Sequence, residues 1–529
     1  MRKRLLLAAL SGLLLAGAWP TYGFPLLVFF GFVPLLILER NIRLGEDKNK
    51  TLKVFGYAYL ALLIWNSITT WWIWYSTPFG MFFALLVNTL LMALIFLAFH
   101  LVARRLPAKI HLIFLPALWI AFEKFHLNWD FSWPWLNLGN VFSEHTLWIQ
   151  WYEYTGSFGG ALWIWAVNIG MFKTIEKFRQ SRLSAQLSTG IAKQVLKIAL
   201  PIIISLFIWS NYEESNQQAE VVIIQPNTDP YTEKYDQPNT EVARELVAMA
   251  QPYTDEETDY IIAPETMLAG NSNMDAFPNS REKYILQVFL SRYDSLELIT
   301  GADFYRLYRQ EERPSPSANR TPNGDWFEVY NAAVNLNRQG EVQTYIKSKL
   351  VVGVENFPFK ETLEPILGNI MIDLGGTVLS RATQDERSVF TSSGGTFRAA
   401  PIICYESVYG EYVTDYVKNG ANFLSIITND AWWDRTQGHQ QHLSYARLRA
   451  VETRRSIARS ANTGISALID EKGQVKKTLG YGEKGVIKGS ISINNKKTIY
   501  VQYGDYIARI ATLFSGFIAL FAIARKKEK

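Results

Sequence analysis

Cysteine is all but missing: 529 residues hold only Cys404. A lone cysteine forms no intrachain disulfide, so no bridge framework supports the fold. No second Cys or His stands at ligand spacing around it, which argues against a metal site there. Excess charge is missing too. The formal net charge is only +5, and the Lys and Arg residues gather in short clusters between apolar runs, which is not the signature of a nucleic-acid binder. Internal repeats, heptad arrays and low-complexity segments are also absent, which sets aside repeat and coiled-coil architectures.

Apolar sequence is abundant and unevenly spread. Seven apolar segments precede residue 212, at roughly 5–19, 24–38, 54–74, 79–103, 110–122, 160–175 and 196–210, and an eighth covers about 507–524. Several are shorter than the ~20 residues that span a bilayer, so flanking Trp, Tyr and loop residues must complete them at the interface. Lys and Arg resist translocation and stay cytoplasmic. With Arg2, Lys3 and Arg4 inside, alternation puts Arg40, Arg43, Lys48, Lys50, Lys53, Arg104, Arg105, Lys109, Lys173, Lys177, Arg179, Arg182, Lys193, Lys197, Arg525, Lys526, Lys527 and Lys529 on the same side. The short outward loops hold only Lys124. Eight crossings with both ends cytoplasmic satisfy this asymmetry. The predicted organisation is a membrane domain over 1–211 with seven spans, an extracytoplasmic domain over 212–506, and an eighth span with a basic tail over 507–529. The first segment has the basic start and small residues of a signal peptide. It is read as an uncleaved span, because a second apolar segment follows after only a Pro/Gly turn. The outward loop 124–158 is rich in Trp and Tyr, as an aromatic belt or a lipid-facing rim would be.

From Glu220 to about Tyr506 short β-branched runs recur, among them EVVIIQPN, DYIIAPET, VYNAAVNLN, EVQTYIKSKL, APIICYES and NFLSIITND. Several are continuously apolar, which predicts burial on both faces. Helical patterns lie between them: TEVARELVAMA, SREKYILQVFLSRY and the long stretch 439–460, HQQHLSYARLRAVETRRSIARS. The expectation is a layered α/β core with helices outside. The polar, Pro/Ser-rich stretch 309–325 reads as a surface loop.

Four polar residues stand at or beyond the ends of such runs: Glu265, Lys347, Glu355 and Cys404. Singly each has a plain structural explanation, Cys404 as a small buried hydrophobe, Lys347 as a snorkelling side chain and the glutamates as solvated strand ends. Together they supply what thiol-based acyl transfer needs. A thiol attacks a carbonyl as thiolate, so a carboxylate such as Glu265 must take its proton. An ammonium such as Lys347 stabilises the oxyanion that follows. Glu355 would orient that ammonium and keep it charged.

The sequence PET around Glu265, YIKSKLV with Glu355 eight residues after Lys347, and ICYES around Cys404 resembles the Glu-Lys-Cys triad of the carbon-nitrogen hydrolase, or nitrilase, superfamily. With the preceding spans, one following span, Trp133-Pro134-Trp135 and TNDAWW, the whole chain resembles the bacterial apolipoprotein N-acyltransferases. The resemblance implies a multi-span α-helical membrane domain plus a nitrilase-like α-β-β-α sandwich, in the inner membrane with its catalytic domain periplasmic. It implies a ping-pong reaction with no cofactor or metal. An acyl chain would pass from a phospholipid, phosphatidylethanolamine by expectation, to Cys404 as a thioester, and then to the α-amino group of a diacylglyceryl-cysteine at a lipoprotein N-terminus. By the same resemblance Glu265 is base and acid, Lys347 holds the oxyanion and Glu355 is a further essential carboxylate. Tyr405 and Glu406 match positions beside the nucleophile, and Tyr235 stands where a mobile arm presents an aromatic ring. Trp432, Trp433 and Tyr235 would line the acyl pocket or pack in the core, and Asn429 would shape the adjoining turn. His439 and His442, at i and i+3, lack an HExxH pattern or third ligand and are not read as a metal site. The alternatives are a membrane-anchored amidase that uses water as second nucleophile, and a channel with a non-catalytic exterior domain.

Overall fold

A computed structural model describes residues 1–230, 233–309, 312–356 and 380–525. Lys526, Lys527 and Lys529 of the expected basic tail, and Gln310 and Glu311 of the expected surface loop, lie outside the described residues. The chain divides into two compact units. The first comprises Met1–Trp74, Gly80–Asn211 and the C-terminal stretch from Tyr503, and the second Tyr75–Phe79 with Tyr212–Gln502.

The first unit is helical. Its principal helices are α1 (Arg2–Ala18), α2 (Val33–Leu44), α3 (Lys50–Thr70), α4 (Pro78–Ala103), α5 (Ala108–His126), α6 (Ser157–Ser181), α7 (Ser184–Asn211) and the closing helix Tyr506–Ala524. Among the described residues, five stretches are long and apolar enough to cross a membrane: Pro25–Leu44, Lys50–Thr70, Pro78–Ala103, Ser184–Asn211 and Tyr506–Ala524. The expected segment 24–38 is interrupted. A short helix, Val28–Gly31, stops at Phe32, and α2 begins immediately after, with Pro34 in its first turn. Proline has no N–H to continue an i to i−4 ladder. The buried Asn168 amide bonds the backbone around that break, accepting from Phe32 N at 2.9 Å and donating to Val28 O at 2.9 Å. Such substitutes are required where no water is available.

The second unit holds two mixed β-sheets. In the first, β1 (Gln218–Gln225), β2 (Tyr260–Ile262), β4 (Glu297–Tyr308), β6 (Trp326–Leu336) and β14 (Gly485–Ser492) run in the order β14-β1-β2-β4-β6. β5 (Asn319–Arg320) and β7 (Val342–Ile346) pair with β6, and β3 (Leu268–Asn273) pairs with β4. In the second, β8 (Phe390–Thr391), β9 (Arg398–Ile403), β10 (Phe423–Thr428), β11 (Ile457–Ala461), β12 (Ser466–Ile469) and β13 (Val475–Leu479) lie in sequence order. β1, β2 and β4 are parallel, as are β9, β10 and β11. Their continuous apolar sequence follows from burial on both faces. On β1, Val222 and Ile224 enter a core with α8 (Asn239–Ala250) and α9 (Arg281–Leu290). The opposite face meets the second sheet, where Ser460 Oγ bonds Ile224 O at 2.8 Å and the rings of Tyr260 and Phe423 approach edge-on. α10 (Gly410–Lys418) and α11 (Gln437–Thr453) cover the second sheet from outside. The result is the α-β-β-α sandwich of nitrilase-like domains.

One expectation needs correction. The helical pattern read over 439–460 ends at Thr453, Arg454 adopts φ +51°, and Ile457–Ala461 is β11. Charged residues made the segment look like one solvated helix. Instead Arg455 and Arg459 are fully buried and bond to backbone and carboxylate groups, so their polarity gives no sign of the change.

Candidate active site

Three of the four candidate residues follow directly, or nearly so, from a strand. Glu265 comes three residues after β2, Lys347 one after β7 and Cys404 one after β9. Because β9 and β10 pair in parallel with Ile403 opposite Ile427, Cys404 stands beside Thr428 and Asn429. Ligands in parallel α/β sheets gather in crevices beyond such strand ends. Gly301 on β4 makes room for the turn that carries Glu265. A Cβ at Gly301 would lie 2.3 Å from Thr266 N and 2.7 Å from Glu265 Cα.

Lys347 is nine-tenths buried or more, and its ammonium bridges two carboxylates. Nζ lies 3.0 Å from Glu265 Oε1 and 2.8 Å from Glu355 Oε2. Asn331 Nδ2 spans the same pair, donating to Glu265 Oε1 at 2.8 Å and Glu355 Oε1 at 3.0 Å. Backbone amides complete the set: Asn429 N donates to Glu265 Oε2 at 3.1 Å and Val351 N to Glu355 Oε2 at 2.9 Å. Burial works against a charged Lys347, but Glu265 and Glu355 outweigh it and hold its pKa above the ordinary lysine value. Burial likewise opposes ionisation of Glu355, yet the charges of Lys347 and Arg381 keep its carboxyl below the usual carboxylate range. A buried ion pair adds little net stability. Its contribution here is geometric, since the ammonium is fixed against one oxygen of Glu265 and both oxygens of Glu355, the second at 2.9 Å.

Cys404 is 6% exposed and opens a 3-10 turn, Cys404–Val408, with φ +50°. A non-glycine residue in that region costs about 1–2 kcal/mol. The turn is fixed by Glu406, which is completely buried. Its Oε2 accepts from Ile403 N at 2.9 Å, and Oε1 accepts from Ser348 N at 2.7 Å, Tyr345 Oη at 2.7 Å and Tyr412 Oη at 2.6 Å. Burial pushes the Cys404 thiol up. The Glu265 carboxylate adds to this, while Lys347 pulls the other way. A thiol so placed rests protonated and needs a base in the reaction itself.

Residues 220–498 match the family model described as carbon-nitrogen hydrolase, and residues 11–170 match the apolipoprotein N-acyltransferase N-terminal domain. The chain belongs to the carbon-nitrogen hydrolase family. Its pair of domains and its full-length similarity place it with the apolipoprotein N-acyltransferases of that family. It is 29% identical over 542 residues to the apolipoprotein N-acyltransferase of Chlorobaculum tepidum, covering 100% of this chain and 98% of the relative. To that of Geobacter metallireducens it is 27% identical, covering 99% and 96%. The solved structure of an amidase from Nesterenkonia superposes with a TM-score of 0.36 at 15% identity, over 56% of this chain and 97% of that one.

The other expected residues of this family member have varied surroundings. Tyr405 is buried with its ring edge-on to Tyr409. Glu406 offers no exposed surface to a substrate and holds the Cys404 turn. Tyr235 is half exposed. Trp432 borders an open cavity of about 600 Å³ together with Asn227, Asp229, Glu233, Asp434 and Tyr481, and Trp433 packs against the His442 ring. His439 and His442 diverge: His439 stacks on Tyr481, and His442 turns inward to Asp430. Ligand atoms of Cys404, Asp430 and His442 lie within 4.8 Å of one another, a spacing that would suit a metal. Arg459 Nη2 stands 2.6 Å from Asp430 Oδ2 and 3.2 Å from His442 Nδ1. A guanidinium in that place repels a cation and uses the carboxylate, so the donor set does not fit one.

Sequence reading passed over Asn331, Asp430, Arg459 and Lys234. Lys234 is 5% exposed, and its Nζ donates to Glu265 O at 3.1 Å. Burial pulls its pKa down to about 8, against the pull of Glu265 and Asp303. The available signal was Asn331 itself, a polar residue within the apolar run VYNAAVNLN.

Proposed function

We propose that this chain is an apolipoprotein N-acyltransferase acting through a Cys404 thioester. The observation that carries the reading is the Lys347 ammonium fixed between Glu265 and Glu355, with both the Glu265 and Lys347 charges acting on the Cys404 thiol. In the first half-reaction Glu265 takes the thiol proton as Sγ bonds to the ester carbonyl carbon of a phospholipid. Lys347 turns one N–H from the Glu355 carboxylate, which offers it two oxygens, to the oxyanion. The C–O bond then breaks, Glu265 returns the proton to the departing alkoxide, and a lysophospholipid leaves. In the second, the α-amino nitrogen of a diacylglyceryl-cysteine attacks the thioester carbonyl. Glu265 accepts a proton from that nitrogen, the C–S bond breaks, and the proton passes to sulfur, leaving an N-acyl lipoprotein.

Both substrates keep their chains in a bilayer, which accounts for a catalytic domain joined to membrane helices. In the proposed topology α1, the interrupted helix 25–44, α3 to α7 and the closing helix make eight crossings. Arg2 and Arg525 are then cytoplasmic, and the α/β domain is periplasmic. Water as second nucleophile would make the chain an amidase or esterase. The test is intact mass of the purified protein after mixing with phosphatidylethanolamine. One added acyl group, removable by hydroxylamine, is expected, and a diacylated lipopeptide should discharge it as N-acyl peptide. No adduct refutes the thioester, and free fatty acid as sole product refutes the acyltransferase.

A further inference from the structure

The carbonyl of Cys404 is gripped from two sides. Ser407 Oγ donates to it at 2.7 Å, and His442 Nε2 lies 3.2 Å from it and 3.0 Å from Ser407 Oγ. A carbonyl only accepts, so a clamp through this contact requires the tautomer with the proton on Nε2, in which Nδ1 accepts from Arg459 Nη2 at 3.2 Å. Behind the ring, His442 Nδ1 faces Asp430 Oδ1 at 3.0 Å. Asp430 is itself held by Thr428 Oγ1 at 2.7 Å and Arg459 Nη2 at 2.6 Å. His442, Asp430 and Arg459 are fully buried.

We propose that His442, aimed by Asp430 and Arg459, is a positioning residue that clamps the Cys404 main chain in its left-handed conformation and so points the thiol at Glu265. The inference rests on Cys404 being the nucleophile. Three observations favour a clamp over a bystander or a base. The nucleophile holds a backbone conformation that only its surroundings can sustain. Glu406 fixes the N–H of Ile403, one residue before Cys404, and His442 and Ser407 hold the Cys404 carbonyl. Both ring nitrogens already have partners, which leaves neither for the thiol although a ring nitrogen lies within 4.8 Å of Sγ.

The test uses the full-length protein in detergent and follows alkylation of Cys404 by iodoacetamide and thioester formation from phosphatidylethanolamine, both by intact mass. His442→Phe removes the donor and keeps a planar ring. His442→Gln keeps an N–H. Small misplacements of reacting groups cost on the order of 100-fold in rate. His442→Phe is therefore expected to slow alkylation and the maximal acylation rate by ~10- to 100-fold with KM for phospholipid little changed, and His442→Gln to restore much of both. Should His442→Phe fail to fold, Ser407→Ala withdraws the second donor to the same carbonyl and is expected to slow both steps by several-fold. Alkylation at the parental rate in a folded His442→Phe protein overturns the clamp. A pH profile of alkylation that loses its acid limb in His442→Gln also overturns it, in favour of a titrating base. Alkylation needs no acyl donor. A parent protein that forms no thioester would therefore sink the proposed reaction and leave the clamp standing.

Discussion

The division of work at Lys347 gives the sharpest expectations for single residues. Cys404→Ala should abolish the acyl adduct, and Cys404→Ser should leave little activity, because an alkoxide is harder to generate than a thiolate. Lys347→Met leaves the strand intact but removes the proposed oxyanion partner, so acylation should fall by at least ~100-fold, read as the rate of thioester formation at unchanged secondary structure. Lys234 offers a pH test with a definite sign. Its folded pKa of about 8 lies below the ordinary 10.5, so folding expels a proton between these values. Stability therefore rises with pH across that window, and below pH 8 the buried ammonium costs on the order of 3 kcal/mol. Lys234→Met should raise the melting temperature at pH 7, and the gain should shrink by pH 9.5. As candidates, Glu265 and Cys404 were legible because each closes an apolar run, and Lys347 because it stands charged within one. Lys234 and Arg459 were not, since a charged side chain in sequence reads as solvated, and only the fold shows that these are buried.

At the scale of elements, strand ends decide what the site contains, and a close approach between strands decides whether it forms. Gly301 on β4 is the tightest such place. Gly301→Ala would drive a methyl into the backbone of Glu265 and Thr266. The turn must shift, and acylation should drop ~100-fold together with the melting temperature, which calorimetry and the thioester assay would show. Apolar periodicity indicated the strands of both sheet centres and the principal helices. It failed around β11, where Arg455 just before the strand and Arg459 within it occupy buried positions that a pattern reading assigns to hydrophobic residues. It also gave no warning of the break at Phe32, which depends on Asn168, 136 residues away in sequence.

For the whole molecule, the lone cysteine is an experimental convenience. Cys404→Ala gives a thiol-free chain into which reporters can be placed. Under the proposed topology Asn323→Cys, in an exposed loop of the α/β domain, should react with an impermeant maleimide added to intact spheroplasts. Ser184→Cys, at the start of α7, should react only after the membrane is opened. The reverse pattern would invert the orientation. Charge asymmetry made sidedness a readable expectation. The shape of the cavity beside Trp432 depends on side-chain packing that no charge count contains.

In the proposed reaction the two carboxylates on Lys347 would also have unequal lives. Glu265 would give up its negative charge each time it held a proton, and at that moment its attraction for the ammonium would fade. Glu355 would exchange no proton and so would keep the lysine charged and stationary while its neighbour is neutral. One acid would shuttle and the other would serve as a fixed counterweight, a physical reason for a second carboxylate beside a single base.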